Sequence, residues 1–169
     1  VLEKMQTRRS IRRYKSDMVP KDVIEKIVEA GTFAASGMNL QTPVIVAVTN
    51  KEIRDKMAKA NAQVMGSEND PFYGAPVVLV VLAEKKGTYV YDGSLVMGNL
   101  MLAAHELGIG SCWIHRAKEV FEQEEWKQWL KSLGLSSDYE GIGNCVLGYA
   151  EVEYPDVLPR KENRVYFVE

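Results

Sequence analysis

The chain has 169 residues, 46% of them hydrophobic and 26% charged. These proportions are typical of globular proteins and exclude disordered, collagen-like and coiled-coil chains, and the length predicts a single domain over residues 1–169. Twenty-one Lys and Arg against 23 Asp and Glu give a formal charge of −2, which argues against nucleic acid or an anionic membrane as partner. Two cysteines and no apolar run of about 20 residues predict a cytoplasmic protein without a membrane span.

The hydrophobic pattern predicts helices and strands in irregular alternation, which indicates a mixed α and β fold. Helices are predicted at 20–35, 51–64, 91–107 and 117–133, strands at 44–49, 76–83 and 145–149, and a short apolar step at 111–114. Segment 76–83 is apolar without alternation, as in a central strand that is covered on both faces. Helix 91–107 is apolar on nearly every side, so we expect it to be buried within the chain or against a second subunit.

A basic cluster lies near the N-terminus, where six basic residues and one acid precede Asp17. If this stretch is helical, Arg8 and Arg12 stand one turn apart with the hydroxyl of Ser10 near them. Arginine offers paired donors to phosphate oxygens, so the cluster predicts a phosphate site. A solvated basic face and a nucleic-acid-binding arm are the alternatives, and the acidic overall balance counts against the arm.

The remaining motifs of the sequence do not indicate a nucleotide-binding, catalytic or metal site. The stretch Gly108-Ile109-Gly110 follows a predicted helix rather than a strand, so we interpret it as a helix cap and not as a dinucleotide-binding loop. No GxSxG motif, catalytic triad or Cys/His cluster is present, so the sequence predicts no metal site and no catalytic side chain. Where side chains offer no chemistry, a bound organic cofactor often supplies it.

Five segments stand in order along the chain: Arg8–Tyr14, Ala35–Pro43, Gly74–Pro76, Leu107–Ile114 and Pro159–Lys161. Taken together, they resemble the FMN-dependent nitroreductase family. The resemblance implies an α+β fold in which a central mixed β-sheet is flanked by helices, in an intertwined homodimer with two FMN sites at the interface. It also implies that the C-terminal segment reaches over the partner, where Val165–Val168 would add to its sheet.

The resemblance also marks residues for the cofactor. These FMN-binding candidates are Arg8, Arg9, Ser10 and Arg12 at the N-terminus, Ser36, Gly37 and Asn39 in a loop that the partner presents, Trp113, Ile114, His115 and Arg116 beside the flavin ring, and Arg160 and Lys161 near the phosphate. The chain departs from the usual motifs at three places. Ala35 and Gly37 replace the more common Pro and Ser, and Thr42-Pro43 replaces Pro-Trp. His115-Arg116 stand where many members have an acidic or small residue.

The activity that the resemblance implies is transfer of a hydride from NADH or NADPH to FMN, followed by reduction of a nitroaromatic, a quinone or a similar small electron acceptor. Donor and acceptor would use the same place in turn, which is a ping-pong mechanism. Two alternatives stay open: a non-catalytic FMN carrier or sensor, and a family member with other flavin chemistry. The nucleic-acid-binding module is the least favoured hypothesis.

Overall fold

The protein is described from a computed structural model that covers residues 1–136 and 138–169. The elements in chain order are α1 (Leu2–Thr7), α2 (Lys21–Thr32), a 3-10 turn (Gly37–Asn39), β1 (Pro43–Val48), α3 (Lys51–Met65), β2 (Val77–Glu84), α4 (Tyr89–Glu106), β3 (Gly110–Ile114), α5 (Ala117–Phe121), α6 (Glu124–Ser132) and β4 (Tyr139–Gly148). The predicted helices at 20–35, 51–64 and 91–107 and the predicted strands at 44–49 and 76–83 are confirmed, with ends shifted by up to three residues.

The four strands form one sheet in the order β1-β2-β4-β3, and each neighbouring pair runs antiparallel. This pairing differs from the mixed sheet that the family resemblance implies. Parallel pairing is found at an isolated β-bridge between Ser10 and Ser111 of β3. The α+β architecture with a sheet flanked by helices is confirmed.

Both faces of the sheet are covered, as the uninterrupted apolar run of β2 predicts. Val78, Val80 and Leu82 belong to a hydrophobic cluster with α3, α5 and α6. The intervening Val77, Leu79 and Val81 belong to a second cluster with α2 and α4. Because successive side chains of a strand point to opposite faces, one strand supplies both layers of the core. The thiols of Cys112 and Cys145 are free and lie in different clusters.

Two predicted elements are wrong in extent. The helix predicted at 117–133 is interrupted, because Gln123 takes an extended conformation (φ −72°, ψ 139°) and begins a new helix. The last strand begins at Tyr139 rather than at 145. Its first half contains Gly141, where a Cβ atom would stand 2.3 Å from the carbonyl oxygen of Ala117. Close packing requires glycine there, and glycine weakens the sequence pattern of a strand.

Helix α4 connects the two regions that carry the candidate site. Its inner face is fully buried at Met97, Leu100 and Ala104, whereas Leu95 on its outer face is 51% exposed. The helix ends at Glu106, and Gly108 just beyond it has φ +73° and donates its N–H to the carbonyl of His105. Glycine takes this left-handed conformation at little cost, which confirms the predicted cap and turns the chain directly into β3.

Candidate functional site

Residues 8–14 follow α1 as a non-helical segment along the edge strand β3. Arg8 has φ −56° and ψ 133°, Ser10 pairs with Ser111, and the N–H of Ile11 donates to the carbonyl of Ser111 at 3.0 Å. The helical arrangement considered for Arg8 and Arg12 is therefore wrong. Residues 8–14 extend along β3 instead of continuing α1, because pairing at the sheet edge satisfies the hydrogen-bonding groups of their backbone.

The N-terminal segment and the tail after β4 enclose a cavity of about 400 Å³, here called the arginine cavity. Nη1 of Arg8 and Nη2 of Arg9 are buried and have no hydrogen-bond partner among the described residues. A buried guanidinium nitrogen without an acceptor is costly, so this cavity suits an anionic ligand. The lining residues are Arg8, Arg9, Ser10, Arg12, Pro155, Asp156, Leu158 and Arg160.

Backbone carbonyls hold two of these guanidinium groups in place. Arg9 donates from Nη1 to the carbonyl of Gln6 at 2.9 Å and from Nε to the carbonyl of Asp156 at 3.4 Å. Arg160 donates from Nε and Nη2 to the carbonyl of Leu158 at 3.2 and 2.7 Å. The bond from Arg9 to Asp156 ties the N-terminal segment to the tail, and the other three orient the two guanidinium groups before any ligand binds.

His105, near the end of α4, lies beside the arginine cavity. The Thr7 hydroxyl donates to the carbonyl of Glu3 at 2.9 Å, so it accepts at 2.9 Å from Nε2 of His105, because a hydroxyl has one hydrogen to donate. Nδ1 of the ring is buried without a partner among the described residues. Burial, then the charges of Lys4 and Arg8, lower the pKa of His105 below its ordinary value. Burial and these positive charges therefore favour the neutral form of the ring over the charged form.

The second basic cluster divides between two cavities. Arg160 lines the arginine cavity and also a neighbouring cavity of about 460 Å³. Lys161 lines the neighbouring cavity together with Arg164. The structure thus brings Arg160 to the predicted phosphate site and places Lys161 next to it.

The loop that carries Ser36, Gly37 and Asn39 lies at the other end of α4. Ser36 lines a separate cavity of about 330 Å³ against β1, Asn39 is exposed, and the N–H of Gly37 donates to Oδ1 of Asp92 at 3.1 Å. Thirteen residues of α4 separate Asp92 from His105, which corresponds to about 20 Å at the usual helical rise of about 1.5 Å per residue. Within one chain the loop and the arginine cavity do not meet.

The candidates at 113–116 lie at the end of β3. Ile114 is buried in the cluster with α3, whereas Trp113 is half-buried on the α4 face of the sheet. A Cβ atom at Gly143 would stand 2.5 Å from Nε1 of Trp113. The glycine of β4 therefore provides the space that the indole ring occupies.

The corner after β3 is fixed by Asn61 of α3, which is fully buried. Its Nδ2 donates to the carbonyl of His115 at 2.8 Å, and its Oδ1 accepts from Nε of Arg116 at 2.9 Å. Arg116 has φ +72°, a left-handed conformation that a non-glycine residue adopts only where its surroundings hold it. The side chain of His115 is exposed. This arrangement directs Arg116 toward α3.

Sequence reasoning missed three residues that organise these regions: Asn61, Asp92 and His105. A weak signal was present for two of them. Asn61 stands on the apolar face of α3 one turn after Met57, and Asp92 is the one acid of α4 before its last residue, Glu106, in a mainly apolar helix. Their partners lie far away in sequence, so spacing alone could not identify them.

Comparison with known proteins assigns this architecture. A model of the nitroreductase family matches residues 5–78 and 61–149. The chain belongs to the nitroreductase family. A relative from Archaeoglobus fulgidus, provisionally named NADH dehydrogenase/NAD(P)H nitroreductase, is 32% identical over 90% of this chain and 86% of its own length. A similarly named relative from Methanothermobacter thermautotrophicus is 32% identical over 67% of this chain, which spans 59% of that relative.

Solved structures of the family share the fold over nearly the whole chain. A nitroreductase with bound FMN from Bacteroides fragilis superposes with a TM-score of 0.87 at 31% identity and covers 99% of this chain and 98% of its own. Another with bound FMN, from Desulfitobacterium hafniense, gives a TM-score of 0.86 at 28% identity over 99% and 97% of the two chains. The predicted family and fold are confirmed. Among the described residues, no helix of this family member has the length and apolar character needed to cross a membrane.

Proposed function

We propose that the protein is an FMN-dependent oxidoreductase that uses NADH or NADPH as electron donor. Its acceptor would be a nitroaromatic, a quinone or a similar small molecule, reduced by a ping-pong mechanism. The observation that carries this proposal is the arginine cavity, which four arginines line. Two of them, Arg8 and Arg9, each have a buried guanidinium nitrogen without an acceptor in the described part of the chain. The FMN-bound relatives with the same fold add independent support.

The arginine cavity suits the phosphate of FMN. We assign Arg8, Arg9, Arg12 and Arg160 to this anion, with the hydroxyl of Ser10 beside it. A doubly charged phosphate matches several guanidinium groups, and paired arginine donors fix its position. Lys161 in the neighbouring cavity adds positive charge near the same anion. When bound, FMN would supply the hydride chemistry that the side chains lack.

The end of β3 is assigned to the flavin ring. The backbone of Trp113–Arg116 would pass beside the ring, with the Trp113 side chain packed against it and the exposed His115 setting the polarity near it. The side chains of Ile114 and Arg116 lie on the α3 side of the sheet. Asn61 holds this corner through its two hydrogen bonds, so the backbone there is fixed before a ligand arrives. Preorganised backbone donors stabilise developing charge more effectively than mobile ones. No side chain is assigned as an acid, a base or a nucleophile.

A homodimer would complete the site. The Ser36–Gln41 loop and the arginine cavity lie at opposite ends of α4, so the loop and the cavity of one chain would not contact the same flavin. A second copy of the chain would supply the loop for the flavin that the first copy binds. Large apolar side chains near that loop are exposed: Phe33 by 80%, Met38 by 86% and Tyr91 by 74%. An exposed apolar surface of this kind marks an interaction site.

The C-terminal tail is assigned to the same dimer. Val165–Val168 is between 71% and 98% exposed and belongs to no strand. Strand β1 pairs with β2 on one side, and its other edge has no partner strand among the described residues. An extended apolar segment can add to such an edge through backbone hydrogen bonds. The tail of each copy would pair with β1 of the other.

A visible absorption spectrum tests the proposed activity. The protein is purified, mixed with FMN, freed of unbound flavin, and treated anaerobically with NADH and then with NADPH. We expect a yellow protein that is bleached by at least one nucleotide and recovers its colour when a quinone or nitroaromatic compound is added.

Two results would contradict the proposal. A colourless protein that binds no FMN would remove the cofactor assignment. A yellow protein that neither nucleotide bleaches would favour a carrier, a sensor or a different flavin chemistry. A size measurement by analytical ultracentrifugation on the same sample decides whether the flavin-loaded species is a dimer.

A further inference from the structure

Asp92 connects the Ser36–Gln41 loop to the first turn of α4. One carboxylate oxygen, Oδ1, accepts from the N–H of Gly37 at 3.1 Å and from the hydroxyl of Thr88 at 2.9 Å. Asp92 is 3% exposed, and its Oδ2 is buried without a hydrogen-bond partner within residues 1–136 and 138–169. Burying a carboxylate is costly. The position of Asp92 in the first turn of α4 offsets part of this cost, because the start of a helix favours negative charge.

Gly37 fits this arrangement because it has no side chain. A Cβ atom at residue 37 would lie 2.2 Å from Oγ1 of Thr88. The hydroxyl could avoid such an atom by rotating, but it would then lose its bond to Asp92. Gly37, Thr88 and Asp92 therefore form one interlocked unit, here called the loop latch.

The loop itself needs an anchor. Met38, Asn39 and Gln41 all have positive φ angles, of 50°, 53° and 49°. Such conformations are unfavourable for non-glycine residues and persist only where other contacts hold them. Within the loop, the N–H of Gln41 donates to Oγ of Ser36 at 3.1 Å, but this bond does not attach the loop to the rest of the protein. The bond from Gly37 to Asp92 does.

We propose that Asp92 is a positioning residue of the flavin site, and that the loop latch sets how Ser36, Gly37 and Asn39 meet the flavin held by a second copy of the chain. This inference rests on the proposed function, because it requires a bound flavin and a dimer. It adds that the departure from Ser to Gly at residue 37 is matched by Thr88, whose hydroxyl occupies the space that a side chain would take.

The test uses the full chain with and without FMN. Hydrogen exchange of the Gly37 amide reports the latch directly and needs no flavin. Asp92→Ala removes the acceptor and Thr88→Ala removes the second donor, whereas Thr88→Ser restores the hydroxyl. Ser94→Ala is the matched control, because Ser94 lies on the same helix and its hydroxyl donates to the carbonyl of Val90, one turn away on that helix.

We expect Asp92→Ala to accelerate exchange of the Gly37 amide roughly tenfold or more, which is the usual effect of losing a hydrogen bond to a charged group. The same variant should weaken FMN binding by about tenfold and lower kcat at saturating FMN. Thr88→Ala should shift both quantities in the same direction by a smaller factor, and Thr88→Ser should return them to wild-type values. Ser94→Ala should change neither.

Three outcomes would overturn the inference. Unchanged Gly37 exchange in both Asp92→Ala and Thr88→Ala would show that no latch exists. Faster exchange with unchanged FMN affinity and kcat would show a latch without a role at the flavin. Failure of Thr88→Ser to restore the exchange rate would remove the hydroxyl from the unit. If Asp92→Ala does not fold, Gly37 exchange and FMN affinity in Thr88→Ala and Thr88→Ser test the loop latch instead. A wild-type protein that binds no FMN but protects Gly37 would instead refute the proposed function and leave the latch as a purely structural contact.

Discussion

Arg8 and Arg160 stand near opposite ends of the sequence and line the same cavity. The two guanidinium groups differ in how they are held. Arg8 has a buried Nη1 without a hydrogen-bond partner in the described residues, whereas Arg160 donates from Nε and Nη2 to the carbonyl of Leu158. The free donor of Arg8 makes this residue the stronger contributor to anion binding.

Arg8→Ala should therefore weaken FMN binding by roughly ten- to hundredfold, because a bond between two charged groups is lost. Arg160→Ala should have a smaller effect. Fluorescence titration of FMN measures both. Riboflavin, which lacks the phosphate, should bind Arg8→Ala and the wild type equally. Arg13→Ala is the matched control, since Arg13 is exposed and paired with Glu151. Unchanged FMN affinity in Arg8→Ala would place the phosphate elsewhere.

The stability of the flavin-free protein should depend on His105. Burial, Lys4 and Arg8 lower the pKa of His105 below its ordinary value of 6.5. As the pH falls below about 6.5, the unfolded chain takes up a proton at this residue before the folded chain does. The free energy of unfolding should therefore decrease as the pH is lowered from 7 to 5. Urea unfolding across this range measures the effect.

His105→Gln should remove that part of the pH dependence, and His115→Gln, which alters an exposed ring, should retain it. An anion in the arginine cavity offsets the charge of Arg8, so FMN should raise the pKa of His105 and flatten the pH dependence. Because the chain has two histidines, their ring proton signals are simple to assign by NMR. A His105 signal that titrates identically with and without FMN would refute this coupling.

The outer face of α4 should carry the dimer contact. Leu95→Glu places a charge on that face, where Leu95 is 51% exposed in the single chain. A charge without a partner is strongly unfavourable inside an interface, so the variant should sediment as a monomer and lose affinity for FMN. Leu133→Glu is the control, because Leu133, directly after α6, is 50% exposed. If both variants stay dimeric, the contact lies on another surface.

Asn61 should stabilise the corner after β3. Asn61→Ala leaves the carbonyl of His115 and Nε of Arg116 without their partner, at a cost of about 2 to 4 kcal/mol in the free energy of unfolding. Asn99→Ala, which removes a single bond to the carbonyl of Ala30, should cost about 1 kcal/mol. Chemical denaturation compares the two. An Asn61→Ala loss no larger than that of Asn99→Ala would mean that the corner does not depend on this amide.

Secondary-structure elements with a local pattern could be predicted from the amino-acid sequence. The unbroken apolar run of β2 predicted a strand covered on both faces, and the spacing of Ile24 and Ile27 predicted α2, because burial of one face imposes a period on the chain. The cap at Gly108 was equally local. Strand β4 was only half predicted, since Gly141 and Gly143 are set by contacts with Ala117 and Trp113 that lie outside the strand.

The assembly of the candidate site could not be predicted from the sequence, because it depends on the packing of distant segments. Sequence motifs identified two basic clusters, but their meeting in one cavity follows from the pairing of residues 8–14 with β3 and the path of the tail. Asn61, Asp92 and His105 act through partners distant in sequence, which no spacing rule reveals. The separation of about 20 Å between Asp92 and His105, which keeps the Ser36–Gln41 loop away from the arginine cavity, likewise follows from how α4 is packed. Local periodicity fixes elements, whereas sites depend on how burial brings distant elements together.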